Sequence, residues 1–108
     1  NALGMQIEYL SPDHALITDA GVSVDAYCLE LGSANLIFVK TSSGIVGCGF
    51  FDLATFEKFG IPAAKVTGIS TIEDLLKGSV SATTPAAVLR GVNPGMSGEE
   101  AVRILSRS

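Results

Sequence analysis

This sequence predicts an α+β fold: a mostly antiparallel sheet from the N-terminal half, with three to four short helices packed mainly on one face. Short apolar runs bounded by turn residues fill residues 3–51, the pattern of strands. Helix caps recur through residues 52–108. At 108 residues the chain holds one modest core, so residues 3–108 form a single domain with a strand-rich part and a helix-rich part. Asn1 and Ala2 read as the scar of a cleaved tag and stand outside it.

The strands come first. Met5 to Tyr9 and His14 to Asp19 flank the turn Ser11-Pro12-Asp13. Val22 to Leu31 is a longer strand with Val22, Val24, Ala26 and Cys28 on one side and Asp25, Tyr27, Leu29 and Leu31 on the other. Leu36 to Thr41 and Ile45 to Phe51 form a hairpin across Ser42-Ser43-Gly44. Apolar residues on both faces of these strands call for cover on both sides.

Helices follow. Asp52 caps a helix that runs to Phe59 and is closed by Gly60. Ala63 to Thr67 is short and β-like. Ser70-Thr71-Ile72-Glu73 reads as a capping box, with Ser70 and Glu73 as reciprocal partners and the helix ending at Lys77-Gly78. Val80 to Ala82 adds a strand, and Thr84-Pro85 opens a helix to Arg90 with Gly91 after it. Ser97-Gly98-Glu99-Glu100 is a second box that starts the last helix.

The charge pattern excludes some functions. Lys40, Lys58, Lys65, Lys77, Arg90, Arg103 and Arg107 are scattered, and the net charge is −4. Phosphate backbones require clustered positive charge, so no nucleic-acid partner is expected. No apolar run approaches the ~20 residues of a membrane span, so no membrane is expected either. Charged residues make up 17% of the chain, below the usual ~25%, and mean hydropathy is +0.44. So apolar a small domain is expected to turn part of its surface toward another subunit. Cys28 and Cys48 lie in apolar runs and make no disulfide framework; reduced thiols and a cytoplasmic location are expected.

The run GCGFFDLATFEKFG, followed by AAKVTGISTIEDLLKGSV and NPGMSGEEAVRIL, resembles the YunC-type family of small bacterial and archaeal proteins of unknown function. The likeness covers roughly residues 45 to 105. Gly47 departs from it, where a larger apolar residue is usual, as does Ile61-Pro62, where a more polar pair is usual. The resemblance implies an α+β domain whose N-terminal β region takes part in oligomer formation. It implies no established activity and carries over no catalytic residue.

GIVGCGFFDL, residues 44 to 53, is the stretch most like a functional site. A nucleophile elbow needs glycines two positions to either side of the reactive residue; here Gly47 and Gly49 are adjacent to Cys48, and apolar neighbours disfavour its thiolate. Cys48 therefore reads as architecture, and the single histidine, His14, is the only residue of its kind to serve as a base. A dinucleotide loop fails because Asp52 holds the third position of GxGxxG, so no cofactor is expected. One histidine and two distant cysteines hold no metal. Alternation puts Gly47 and Gly49 on one face, where they leave a side-chain-free groove for a close-packed element. Thr83-Thr84-Pro85 starts a helix without acidic residues, and Thr83 and Thr84 are its candidates for holding an anion; capping is the blander account.

The expected function is a homo-oligomeric binding or structural module joined through the N-terminal strands, with an unidentified small-molecule ligand if any. The alternative is a small enzyme or ligand-binding protein with a site at a subunit interface, using Cys48, His14 or the Thr83-Thr84 helix start.

Overall fold

The computed structural model describes residues 5 to 107, so the tag reading of Asn1 and Ala2 lies outside the described residues. Seven strands form one sheet in chain order: β1 (Gln6–Ser11), β2 (His14–Asp19), β3 (Val22–Glu30), β4 (Asn35–Lys40), β5 (Ile45–Gly47), β6 (Ala63–Lys65) and β7 (Ala82–Thr83). The helices are α1 (Leu53–Lys58), α2 (Ile72–Lys77), α3 (Pro85–Leu89) and α4 (Gly98–Ser106). Every neighbouring pair of strands is antiparallel except β5 and β6, which run parallel and are joined through α1. The fold is α+β, as expected.

Strand alternation sorts the two faces. Ala15, Ile17, Val24, Ala26, Ile37, Val39 and Val46 point to the inner face and are buried. α2 and α4 cover that face with Ile72, Leu75, Leu76, Ala101, Val102 and Leu105. The tight β2–β3 turn places Ala20 and Gly21 at φ +53° and +85°, the left-handed pair that matches the twist of a hairpin. At the end of β2, Asp19 takes a 2.8 Å hydrogen bond from Arg103 of α4, which also donates to Glu99 and Glu100. These carboxylates, Asp19 first and Glu99 next, raise the guanidinium pKa and fasten α4 to the sheet. Ser43 of the β4–β5 hairpin donates to the Leu105 carbonyl at 2.7 Å, satisfying one of the free carbonyls at the end of α4.

The outer face carries a row of stacked rings. His14 lies on Tyr27 with centroids 4.5 Å apart, Tyr27 on Phe38 at 5.0 Å, and Phe38 meets the edge of Phe51 at 5.7 Å. Phe51 then reaches Phe56 of α1 at 5.9 Å, so α1 packs on this face, beside β6.

Several local expectations shift. The strand expected over Ile45 to Phe51 stops at Gly47, and the chain turns through Cys48 to Phe51, closed by a Phe51 N–H to Cys48 carbonyl bond of 3.3 Å. Gly49 thus lies in a turn and does not share a strand face with Gly47. A Cβ on Gly49 would meet only the Thr67 methyl, at 3.6 Å, whereas one on Gly47 would run into the Phe51 ring. The first capping box moves by one residue: Thr71 is the N-cap, bonded by the Asp74 N–H at 3.0 Å, while the Asp74 carboxylate accepts from the Ser70 N–H. The last helix begins at Ser97 as expected, but Glu100 turns to Arg103 instead of back to the cap. Val80 precedes β7 and pairs with a loop, its N–H bonding the Met96 carbonyl at 2.7 Å.

Gly47→Ala is expected to lower stability by about 1–3 kcal/mol through overpacking against Phe51, and Gly49→Ala by much less. Urea midpoints compare the two; equal midpoints would remove the special role of Gly47. Thr71→Ala and Ser97→Ala should each lose ~0.5–2 kcal/mol, and Ser70→Ala, whose backbone makes the bond, distinctly less. The same denaturation series checks that order.

Candidate functional site

The residues singled out by the sequence fall in different places. Cys48 closes the inner edge of the β4–β5 pair: its N–H bonds the Ile37 carbonyl at 2.9 Å and its Sγ accepts from the Ile37 N–H at 3.4 Å. The side chain is 3% exposed. His14 belongs to the outer face, where Nε2 and Asp25 Oδ1 are 2.8 Å apart and the ring stacks on Tyr27. The sheet therefore separates the two, and the fold does not bring His14 to Cys48 as a base. Thr84 is 1% exposed; its hydroxyl donates to the Ile61 carbonyl at 3.2 Å and accepts from the Ala63 N–H at 3.0 Å, besides capping α3 through the Ala87 N–H. Thr83 pairs with Ala64 in the sheet. Among the described residues no three His, Cys, Asp or Glu side chains converge as metal ligands.

Cys28 is a neighbour of Ile37 on the other side, half-buried on β3. Its thiol faces the Ser70 carbonyl at 3.8 Å, and Asn35 Nδ2 donates to the same oxygen at 2.9 Å. Burial, then the carboxylates of Asp13 and Glu73, push this thiol above its ordinary 9.0. Tyr9 is raised likewise, to about 12, by burial and by its hydrogen bond to Glu73 at 2.9 Å.

A cavity of about 270 Å³ opens at this end of the sheet. Asn35, Cys48, Gly49, Phe50, Gly68 and Ile69 are among its walls. The loops that build it follow β5 and β6, the parallel pair, and precede β4. α1 leaves β5 toward the outer face and α2 leaves the loop after β6 toward the inner face. A crevice opens where chains diverge at the carboxyl ends of parallel strands. Sequence reasoning reached Cys48 and the glycine beside it but missed Asn35, Phe50, Gly68 and Ile69. The available signal was the Phe50-Phe51 doublet, since only one of two adjacent rings can join a given layer. A second cavity, about 260 Å³, lies between the β2–β3 end and the last turn of α4, walled by Ile17, Val24 and Val102 with Asp19, Arg103 and Arg107 at its rim. A third, about 180 Å³, lies beside Asp13, Glu30 and Cys28 and shares Asn35 with the first.

The arrangement is that of a small α+β domain with a mixed sheet, an aromatic outer face and an uncharged crevice at one sheet end. The chain belongs to the family described as a domain of unknown function (DUF1805), whose model matches residues 47–105. It is 35% identical over 86 residues to the uncharacterized protein YunC of Bacillus subtilis, covering 76% of this chain and 85% of that one. Its fold is also that of TA1206 from Thermoplasma acidophilum, a crystal structure of a protein of unknown function: TM-score 0.79, 31% identity, 94% of this chain and 92% of that one. The family resemblance read from the sequence is thereby established, and none of these relatives carries an assigned activity.

Iodoacetamide labelling across pH 7–10, read by peptide mass spectrometry, is expected to modify Cys28 before Cys48 because only Cys28 is half-open to solvent. A raised thiol pKa lowers the thiolate fraction at any given pH, so the Cys28 rate should rise at higher pH than that of an unstructured thiol peptide. Faster modification of Cys48 at neutral pH would reverse this account.

Proposed function

We propose that this chain is a homo-oligomeric binding or structural module of the cytoplasm, assembled through its N-terminal strands. One observation carries the reading: on the outer face of β2, β3 and β4, Leu16, Tyr27, Leu29 and Phe38 are only half-buried, while their strand neighbours Ala15, Ala26, Ile37 and Val39 are fully buried on the inner face. α1 packs on this face beside β6, and these side chains over β2 to β4 stay partly open to water. A self-complementary contact over such a face buries apolar side chains without any new folding. Next to it β1, a six-residue edge strand with Tyr9 and Leu10 exposed, offers free backbone groups as well.

The interface should exceed ~1,000 Å² in total. Light scattering at micromolar concentration is expected to give a multiple of 11.1 kDa. Leu16→Glu should shift the mass to that of one chain with its circular dichroism unchanged, and Leu89→Glu, on an 89% exposed side chain of α3, should leave assembly intact. A monodisperse monomer for the unaltered protein would end the proposal.

A further inference from the structure

We infer that the crevice at the carboxyl ends of β5 and β6 binds a small, uncharged, planar nitrogen heterocycle that carries an N–H donor. Four observations lead there, and none is needed by the oligomer reading.

Phe50 is the first. Its neighbour Phe51 is accounted for by the aromatic row, whereas Phe50 stands 58% exposed at the crevice and stacks on no ring among the described residues. An exposed phenyl face beside a cavity is a stacking surface for a flat ring. The backbone is the second. Gly49 and Gly68 form part of the walls; Gly68 has φ +73° and an added Cβ there would meet nothing within 4 Å, so a flat ligand can lie against bare peptide. Asn35 is the third. Its Nδ2 is committed to the Ser70 carbonyl, and its Oδ1 has no hydrogen-bond partner among the described residues, leaving an acceptor for a ligand N–H.

Charge is the fourth. Among the described residues no ionised side chain lines the crevice, which disfavours a phosphate or carboxylate ligand. On the far side of Asn35, however, Asp13 and Glu30 line the adjoining cavity. Their field favours the hydrogen-bearing edge of a polarised ring at Asn35 over an acceptor edge. A volume of about 270 Å³ holds one or two fused rings, and a whole nucleotide would exceed it.

Adenine and nicotinamide, added separately at millimolar concentration to uniformly 15N-labelled protein, probe the site by NMR. The expected result with at least one of them is a saturable shift of the Gly49, Phe50, Gly68 and Ile69 amides and of the Asn35 side-chain NH2. Phe50→Leu keeps apolar bulk but removes the ring, and should weaken binding about tenfold. Phe50→Tyr should retain it. The side chain is largely exposed, so both variants should fold, as their spectra will display. The inference is overturned if neither compound moves these amides, if the shifts map elsewhere, or if Phe50→Leu binds as tightly as the unaltered protein.

Discussion

The contact between Phe51 and Gly47 is the constraint on which the rest of the structure depends. Gly47 sits opposite Phe38 in register, so a side chain there would project onto the outer face. Its absence lets the Phe51 ring fold back over the strand and reach Phe38. That fold-back ends β5 after three residues and throws α1 onto the outer face. α1 can then return the chain for β6 to pair in parallel with β5. Parallel pairing demands a crossover, and short crossovers of this kind place a helix across one face. A larger apolar residue at position 47 would force Phe51 to take another place.

The inner layer depends on a similar close approach. Gly98 begins α4 against the carbonyl of Leu75 in α2, where any Cβ would strike backbone. Helices of six and nine residues have little stability of their own, so their order comes from tertiary burial. Leu75 and Leu105, fully buried, supply it. Arg103 then fixes the rotation of α4, because only one face of the helix puts the guanidinium against Asp19 while keeping Glu99 and Glu100 in reach.

The strands β1 to β4 were legible because period-two alternation and turn residues agree along their length. Of the two faces of Val22 to Leu31 expected to be covered, the inner one lies under α2 and α4, while Tyr27 and Leu29 on the outer one stay half-buried. The caps at Asp52, Thr84 and Ser97 were legible for the same reason: each is a short side chain just before a periodic run. Ser70-Thr71 was ambiguous, since both residues cap equally well and only the position of Asp74 decides between them. The strand end at Gly47 could not be read, because there Phe51 folds over its neighbour to reach Phe38, a packing event with no local signature. The crevice was hidden for a related reason. Asn35, Phe50 and Gly68 are distant in sequence and meet only once the parallel pair forms, while the Cys48 signal that drew attention turned out to serve the backbone of Ile37.

One turn of four residues distributes its side chains among three environments. Cys48 enters the inner core, Phe51 enters the outer aromatic row, and Phe50 stays at the crevice between them. The strand before this turn is bonded to both β4 and β6, so its backbone has little freedom to shift. A crevice wall mounted on it is therefore held by the same contacts that hold the two layers together. That is the condition under which a shallow, uncharged site can select a flat ligand: its stacking surface and its acceptor must keep their spacing before the ligand arrives. Asn35 meets the condition from the other side, tied through Ser70 to the start of α2. The half-buried outer sheet face and the crevice beside Phe50 are thus separate apolar features of the surface.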